Sequence, residues 1–281
     1  MKIQERVCRK SLDIIMKGMT VIGRRIKETP AELGMDYEEI DFNSRGSEFP
    51  LKGWLCRSKG GKCVIIVQGG IRNRANSVTG LLEIAKELTD RGIDVFSFDL
   101  RAHGESKGKW NSSNFGQEYE DVLGAFDCMA ERFDTSQIGL LGFSLGAGSA
   151  ILAAFKEEKI RAVVADSSWA ESKGVFKDKI WQQRNWFICL HPIVKGAGVK
   201  FPNLLEVVKD IKAEILFVHG GVDKIIPPEE SHKLVDRLPK GKQHLQIFPG
   251  AFHCQSYRSY SSKYINLITE FFNTYLGSSR Q

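Results

Sequence analysis

Six short runs of almost uninterrupted apolar residues, each separated from the next by helix-patterned sequence, constrain this chain more than anything else in it. "KCVIIVQ" (62–68) is a continuous apolar run that reads as a strand buried on both faces, and "IDVFSFD" (93–99), "IGLLG" (138–142), "RAVVAD" (161–166), "EILFVHG" (214–220) and "HLQIFPG" (244–250) read as further strands. Between them the apolar residues recur at helical spacing. Val78, Leu81, Leu82, Ala85 and Leu88 mark one helix, and Tyr119, Val122, Leu123, Phe126, Met129 and Phe133 mark a second over 117–133. Further helices are expected at 145–156, near 228–238 and at 258–276. Repeated strand–helix alternation calls for a parallel sheet covered on both faces. Ahead of it, "YEEIDFN" and "FPLKGWLCR" flank a polar turn at Gly46 and predict an antiparallel hairpin at one edge. The fold class is α/β, with a mostly parallel eight-stranded sheet.

One interval breaks the rhythm. Residues 167–212 hold Trp169, Phe176, Trp181, Trp186, Phe187 and Phe201 but no clear strand. So long a stretch is seldom structureless inside a domain, and a helical cap insertion over the sheet's C-terminal end is expected.

Charge singles out the N-terminus. Residues 1–27 carry eight lysines and arginines against Glu5 and Asp13, which accounts for the whole net charge of +6. The remainder sums to zero, so the body offers no nucleic-acid surface. Cys8, Leu12, Ile15, Met19, Ile22 and Ile26 line one stripe of a helix, weakened by Gly18 and Gly23 and closed by Thr29-Pro30. That stripe either docks on the chain's own domain or lies on a membrane surface. The expected division is therefore an amphipathic helix over 1–28 and one domain over 29–281. No secretory pattern or membrane-spanning run is legible. The six cysteines form no metal-ligand spacing and read as reduced thiols of a cytoplasmic protein, with a Cys56–Cys63 bridge across a hairpin as the minority reading.

Chemistry concentrates in "QIGLLGFSLGAGSA" (137–150). Gly142-Phe143-Ser144-Leu145-Gly146 is a G-x-S-x-G motif placed directly after a strand and before a helix, the context in which it marks a nucleophile. Neither a phosphate loop nor a dinucleotide turn fits these glycines. A serine hydroxyl needs a base, and the base needs an acid to orient it. Asp223, in the loop after a strand, is the expected acid, with Asp166 as its rival. His253, after the last strand, is the expected base. His191, His232, His219 and His244 are worse placed, and His103 sits in a tight turn where a hydrogen-bonding role is expected. The backbone N–H of Leu145 and that of Gly70, with Ile71 beside it, are the candidate oxyanion donors.

Together, "VIIVQGG", "SFDLRAHGES", "GLLGFSLGAGSA", "VHGGVDKIIPPEES" and "PGAFH" resemble alpha/beta-hydrolase serine hydrolases in order and spacing over about residues 30–277. The entry "PAELGMDYEEIDFNSRGSEFPLKGWL" looks like the subgroup labelled alpha/beta-hydrolase-domain or serine-aminopeptidase-like. The resemblance implies Ser144 as nucleophile, Asp223 as acid, His253 as base and oxyanion donors at Leu145 and Gly70, with no metal or organic cofactor. It departs at Gln68-Gly69, where many members have His-Gly. The substrate class expected is a small ester or acyl compound, a carboxylic ester or thioester with a hydrophobic part. An aminopeptidase using Glu171, Asp178, Glu206 or Asp210 and a non-catalytic ligand-binding protein are the alternatives.

Overall fold

Strand propensity and burial agree in this chain, because its β-branched runs are too short for helices and too apolar for loops. The computed structural model describes residues 3–22, 25–70, 72–109, 116–171, 193, 196–198 and 202–277. Eight strands form one sheet: β1 (Tyr37–Asn43), β2 (Pro50–Cys56), β3 (Lys62–Val67), β4 (Ile93–Phe98), β5 (Ile138–Phe143), β6 (Ala162–Asp166), β7 (Glu214–Gly220) and β8 (His244–Phe248). Their order across the sheet is β1-β2-β4-β3-β5-β6-β7-β8. β1 pairs antiparallel with β2, β2 antiparallel with β4, and every later neighbour is parallel. This is the alpha/beta-hydrolase fold, with the antiparallel hairpin at one edge.

Because β4 lies between β2 and β3, Cys56 and Cys63 do not face each other across a hairpin. Both are free and buried, and burial pushes the Cys56 thiol up to about 12 and raises that of Cys63 well above its ordinary value.

Alternating side chains split the core into two layers. Ile65, Val67, Phe98 and Leu140 meet α3 (Tyr119–Ala130) and α4 (Leu145–Lys156) through Val122, Phe126, Met129, Ala147 and Ile151. Val64, Ile66, Leu141 and Val164 meet α2 (Leu81–Asp90) and α8 (Ser261–Tyr275) through Leu81, Leu88, Ile265 and Phe272. The described elements also include the short helices α5 (Leu204–Val208), α6 (Glu229–Val235) and α7 (Ser256–Ser259) and the N-terminal α1 (Ile3–Ile22).

Three expectations need correction. Helix α1 ends at Ile22, so Ile26, expected on its apolar stripe, lies in the non-helical run 25–29 before Pro30. Val78 is 45% exposed, because α2 begins at Leu81 and Val78 lies in the turn before it. The single helix expected over 258–276 is two, broken at Tyr260 (φ −144°, ψ 50°). Of the expected cap, Phe176, Asp178, Trp181, Trp186, Phe187, His191 and Phe201 lie outside the described residues, as does Ile71. Trp169 is described: its ring is buried and its Nε1–H donates to the Pro202 carbonyl at 3.1 Å.

Candidate active site

Strand β5 ends at Phe143 and α4 starts at Leu145, which leaves one residue, Ser144, to make the whole reversal. Its backbone sits at φ 50°, ψ −113°, a region that side-chain-bearing residues rarely occupy. The flanking glycines make that corner feasible. A Cβ on Gly142 would lie 2.4 Å from the Gly146 carbonyl oxygen, and one on Gly146 would lie 2.2 Å from the Val67 carbonyl oxygen. Any other residue would push β5, β3 and the start of α4 apart.

The turn aims the Ser144 hydroxyl at a loop from the far end of the chain. His253 Nε2 lies 2.9 Å from Ser144 Oγ, and His253 Nδ1 lies 2.6 Å from Asp223 Oδ2. Asp223 is buried in the loop after β7, where its Oδ1 accepts the backbone N–H groups of Ile225 at 2.8 Å and Ile226 at 3.0 Å. Burial opposes ionisation of this carboxyl. The neighbouring His253 and His219 outweigh it and hold Asp223 well below the usual carboxylate range. The structure thus brings Ser144, His253 and Asp223 into one line of contacts.

Asp166 is not in that line. Its Oδ1 accepts the Ser167 hydroxyl at 2.8 Å, and its carbonyl accepts the Ser144 N–H at 2.9 Å. Ser167 Oγ in turn accepts the N–H of Cys254, the residue after His253, at 3.1 Å. Ser167 and Cys254 both have left-handed backbones, at φ 58° and 55°. The dipeptide Asp166-Ser167 therefore ties the backbone beneath the serine to the backbone beneath the histidine. Burial pushes the Asp166 carboxyl up to about 6, against the opposing Ser167 hydrogen bond. Cys254 is buried, and burial with the charges of Asp166 and Asp223 raises its thiol well above the ordinary range. Alkylation through a thiolate is disfavoured there.

Sequence reasoning set His219 aside because it lies in a strand. In the structure its buried ring stands against the same carboxylate, with Nε2 3.2 Å from Asp223 Oδ2 and 2.9 Å from the Ile226 carbonyl oxygen. Nδ1 lies 2.7 Å from Ser231 Oγ. An acceptor carbonyl and an acceptor carboxylate at Nε2 require the proton there. Burial pulls this imidazole down, but Asp223 outweighs burial and leaves it above its ordinary value. The available signal was the spacing of His219 four residues before Asp223 across the end of β7.

The other expected positions sit as follows. Leu145 is the first residue of α4, and Gly70 lies against it: a Cβ on Gly70 would be 3.4 Å from Leu145 Cδ2. Gly69 lies against Ser144 in the same way. Gln68 is buried, and its Nε2 donates to the Arg72 carbonyl at 2.8 Å, closing the loop that carries both glycines. Downstream, the Arg74 N–H donates to Asp99 Oδ1 at 2.7 Å, and its guanidinium pairs with Asp99 while stacking 4.0 Å over Trp54. His103 Nδ1 is 2.8 Å from the Arg101 carbonyl, a hydrogen-bonding role. Glu206 and Asp210 are exposed beside Lys209, and the Glu171 N–H donates to Glu230. Among the described residues, no group of three or more His, Cys, Asp and Glu side chains is placed to hold a metal ion. No described helix is long and apolar enough to cross a membrane.

Known proteins repeat this architecture. The chain is 25% identical over 275 residues to the uncharacterized protein YfhR of Salmonella typhimurium, covering 89% of this chain and 85% of that one. It is 29% identical over 164 residues to the lysophosphatidylserine lipase ABHD12 of Macaca fascicularis, covering 54% of this chain and 40% of the lipase. The esterase Pf2001 of Pyrococcus furiosus shares the fold with a TM-score of 0.76 at 22% identity, over 90% of this chain and 97% of the esterase. The profile of the prolyl oligopeptidase family matches residues 83–279, from α2 through the strands that carry Ser144, Asp223 and His253. The chain belongs to the prolyl oligopeptidase family, within the alpha/beta-hydrolase superfamily.

Proposed function

We propose that this protein is a serine hydrolase that forms an acyl-enzyme on a carboxylic ester or thioester with a hydrophobic part. The observation that carries the proposal is the pair of contacts at His253, 2.9 Å to Ser144 Oγ and 2.6 Å to Asp223 Oδ2. Asp223, held ionised, keeps the proton of His253 on Nδ1 and leaves Nε2 as the base. Ser144 Oγ attacks the carbonyl carbon as its proton passes to His253 Nε2. The N–H groups of Leu145 and Gly70 receive the oxyanion. His253 then gives the proton to the departing alcohol or thiol. Water then attacks the acyl-enzyme as the same Nε2 takes its proton, the acyl–Oγ bond breaks to free the acid, and the proton passes from Nε2 to Ser144 Oγ.

Relatives named as a lipase and an esterase support an ester over an amide. The family's own name favours the second reading, an aminopeptidase or amidase on the same three residues. An amine-binding site would need carboxylates turned inward, and the exposure of Glu206 and Asp210 beside Lys209 weighs against those two. Free Cys8, Cys56, Cys63, Cys128 and Cys254 support a reducing, cytoplasmic setting.

The test is labelling with a fluorophosphonate, beside an acyl-length series of p-nitrophenyl esters and an aminoacyl-nitroanilide series. Labelling of the wild type, its loss in Ser144→Ala, and a fall in ester turnover of at least about 10³-fold are expected. A folded wild type that takes no label would support a non-catalytic ligand-binding protein instead. Faster turnover of the anilides would move the assignment to peptide chemistry.

A further inference from the structure

Helix α1 carries two apolar rows rather than one. The first faces the body: Leu12 is buried against Ala197, with Cys8 and Ile193 packed beside them. It coincides with part of the stripe that the sequence periodicity marks. The second row faces away. Ile3 is 85% exposed, Val7 58% and Ile14 72%. At 100° per residue these three fall within roughly 40° of arc and extend roughly 16 Å along the axis.

Charge is sorted around this second row. Arg6, Lys10 and Lys17 are exposed, and helical geometry sets them along one edge of it, within roughly the next 60°. The acidic residues of the helix, Glu5 and Asp13, are both half-buried, and Glu5 pairs with Arg9 at 3.3 Å. The outward side of α1 is therefore an apolar row with a cationic border.

We infer that this face of α1 docks on an anionic lipid surface. Ile3, Val7 and Ile14 enter the headgroup region, Arg6, Lys10 and Lys17 meet lipid phosphates, and Leu12 keeps the helix on the body. A second copy is a poor occupant. An isologous contact would set the cations of both copies at one seam, and residues 28–281, with no net charge, supply no overall negative charge against them. A folded protein partner needs roughly 800 Å² on each side, far more than three side chains in a row present. An anionic bilayer matches the border in sign and requires only a narrow apolar row lying in its plane.

The experiment is co-sedimentation of the full chain with phosphatidylglycerol vesicles and, separately, with phosphatidylcholine vesicles. The wild type is expected to bind the anionic vesicles at least about tenfold more tightly, and to lose that preference as salt rises. The double variant Val7→Glu/Ile14→Glu and the triple variant Arg6→Glu/Lys10→Glu/Lys17→Glu should each lose at least about tenfold in binding while keeping turnover of a soluble ester. Equal wild-type binding to both vesicles, or binding retained in both variants, overturns the inference. So does a wild-type dimer in solution that Val7→Glu/Ile14→Glu converts to monomer. The wild-type comparison stands even if a variant fails to fold.

Discussion

The corner of the sheet around Ser144 and the helix Ile3–Ile22 are attached to the same body by opposite means. The corner is over-determined. Ser144, Ser167 and Cys254 hold left-handed backbones, each costing on the order of 1 kcal/mol or more, inside a mesh of buried hydrogen bonds. Helix α1 is unstrained and, among the described residues, lightly held, with Leu12 its one fully buried side chain and Ala197 that residue's buried partner. Strain appears where a hydroxyl, an imidazole and a carboxylate must meet within hydrogen-bonding distance. Light packing suffices where a helix only has to be attached. Positioning and attachment are separate physical tasks, and the chain assigns them to separate regions.

The contrast can be broken at three points. The largest effect is expected at the charged end of the corner. On the reading proposed above, Asp223→Asn leaves the fold intact but removes the group that selects the His253 tautomer. The expected fall in kcat is about 10³–10⁴-fold, with KM little changed, measured by steady-state ester hydrolysis. A fall of less than tenfold would mean that the carboxylate only packs.

Next comes stability. Phe272, fully buried beneath the sheet, should cost about 3–5 kcal/mol when cut to alanine. Leu12→Ala should cost less than about 1 kcal/mol of global stability in a urea melt, because α1 can open locally without exposing either core layer. Equal losses would show α1 to be part of the cooperative unit and would erase the difference drawn here.

The last test is a pH dependence. Asp166 is held up to about 6 by burial, so the folded state binds more protons than the unfolded state between about pH 4 and pH 6. Stability from this group is full below about pH 4 and declines as pH rises to about 6, by on the order of 3 kcal/mol. Asp166→Asn should abolish that decline, so its melting temperature should gain on the wild type between pH 5 and pH 7.5. An unchanged pH profile would mean that the carboxyl is solvated in solution.

Much of this was legible because burial and chemical type speak together. A run such as Val64–Val67 can be little other than an internal strand, and a serine flanked by glycines at a strand end can be little other than a forced turn. Asp223 and His253 were legible through their places after strands. What stayed hidden depended on contacts between distant segments. Nothing local tells Cys56 that β4 will pair beside it and displace Cys63, since the long-range order of strands is not written in either strand. His219 reads as one more strand residue until the loop after β7 folds back and sets Asp223 over it. Ser167 and Cys254 gave no warning of left-handed backbones, because neither is glycine and the compensation lies in each other's hydrogen bonds. The two rows of α1 share one helix, and periodicity weighted the row that packs over the row that does not.

The Asp166-Ser167 tie has a mechanical consequence. The backbones of Ser144 and of Cys254, next to His253, hang from adjacent links of one short segment at the end of β6. When that end of the sheet flexes, both groups travel together as passengers on a common mount. Thermal motion can then carry the pair through space without opening the 2.9 Å gap between Ser144 Oγ and His253 Nε2.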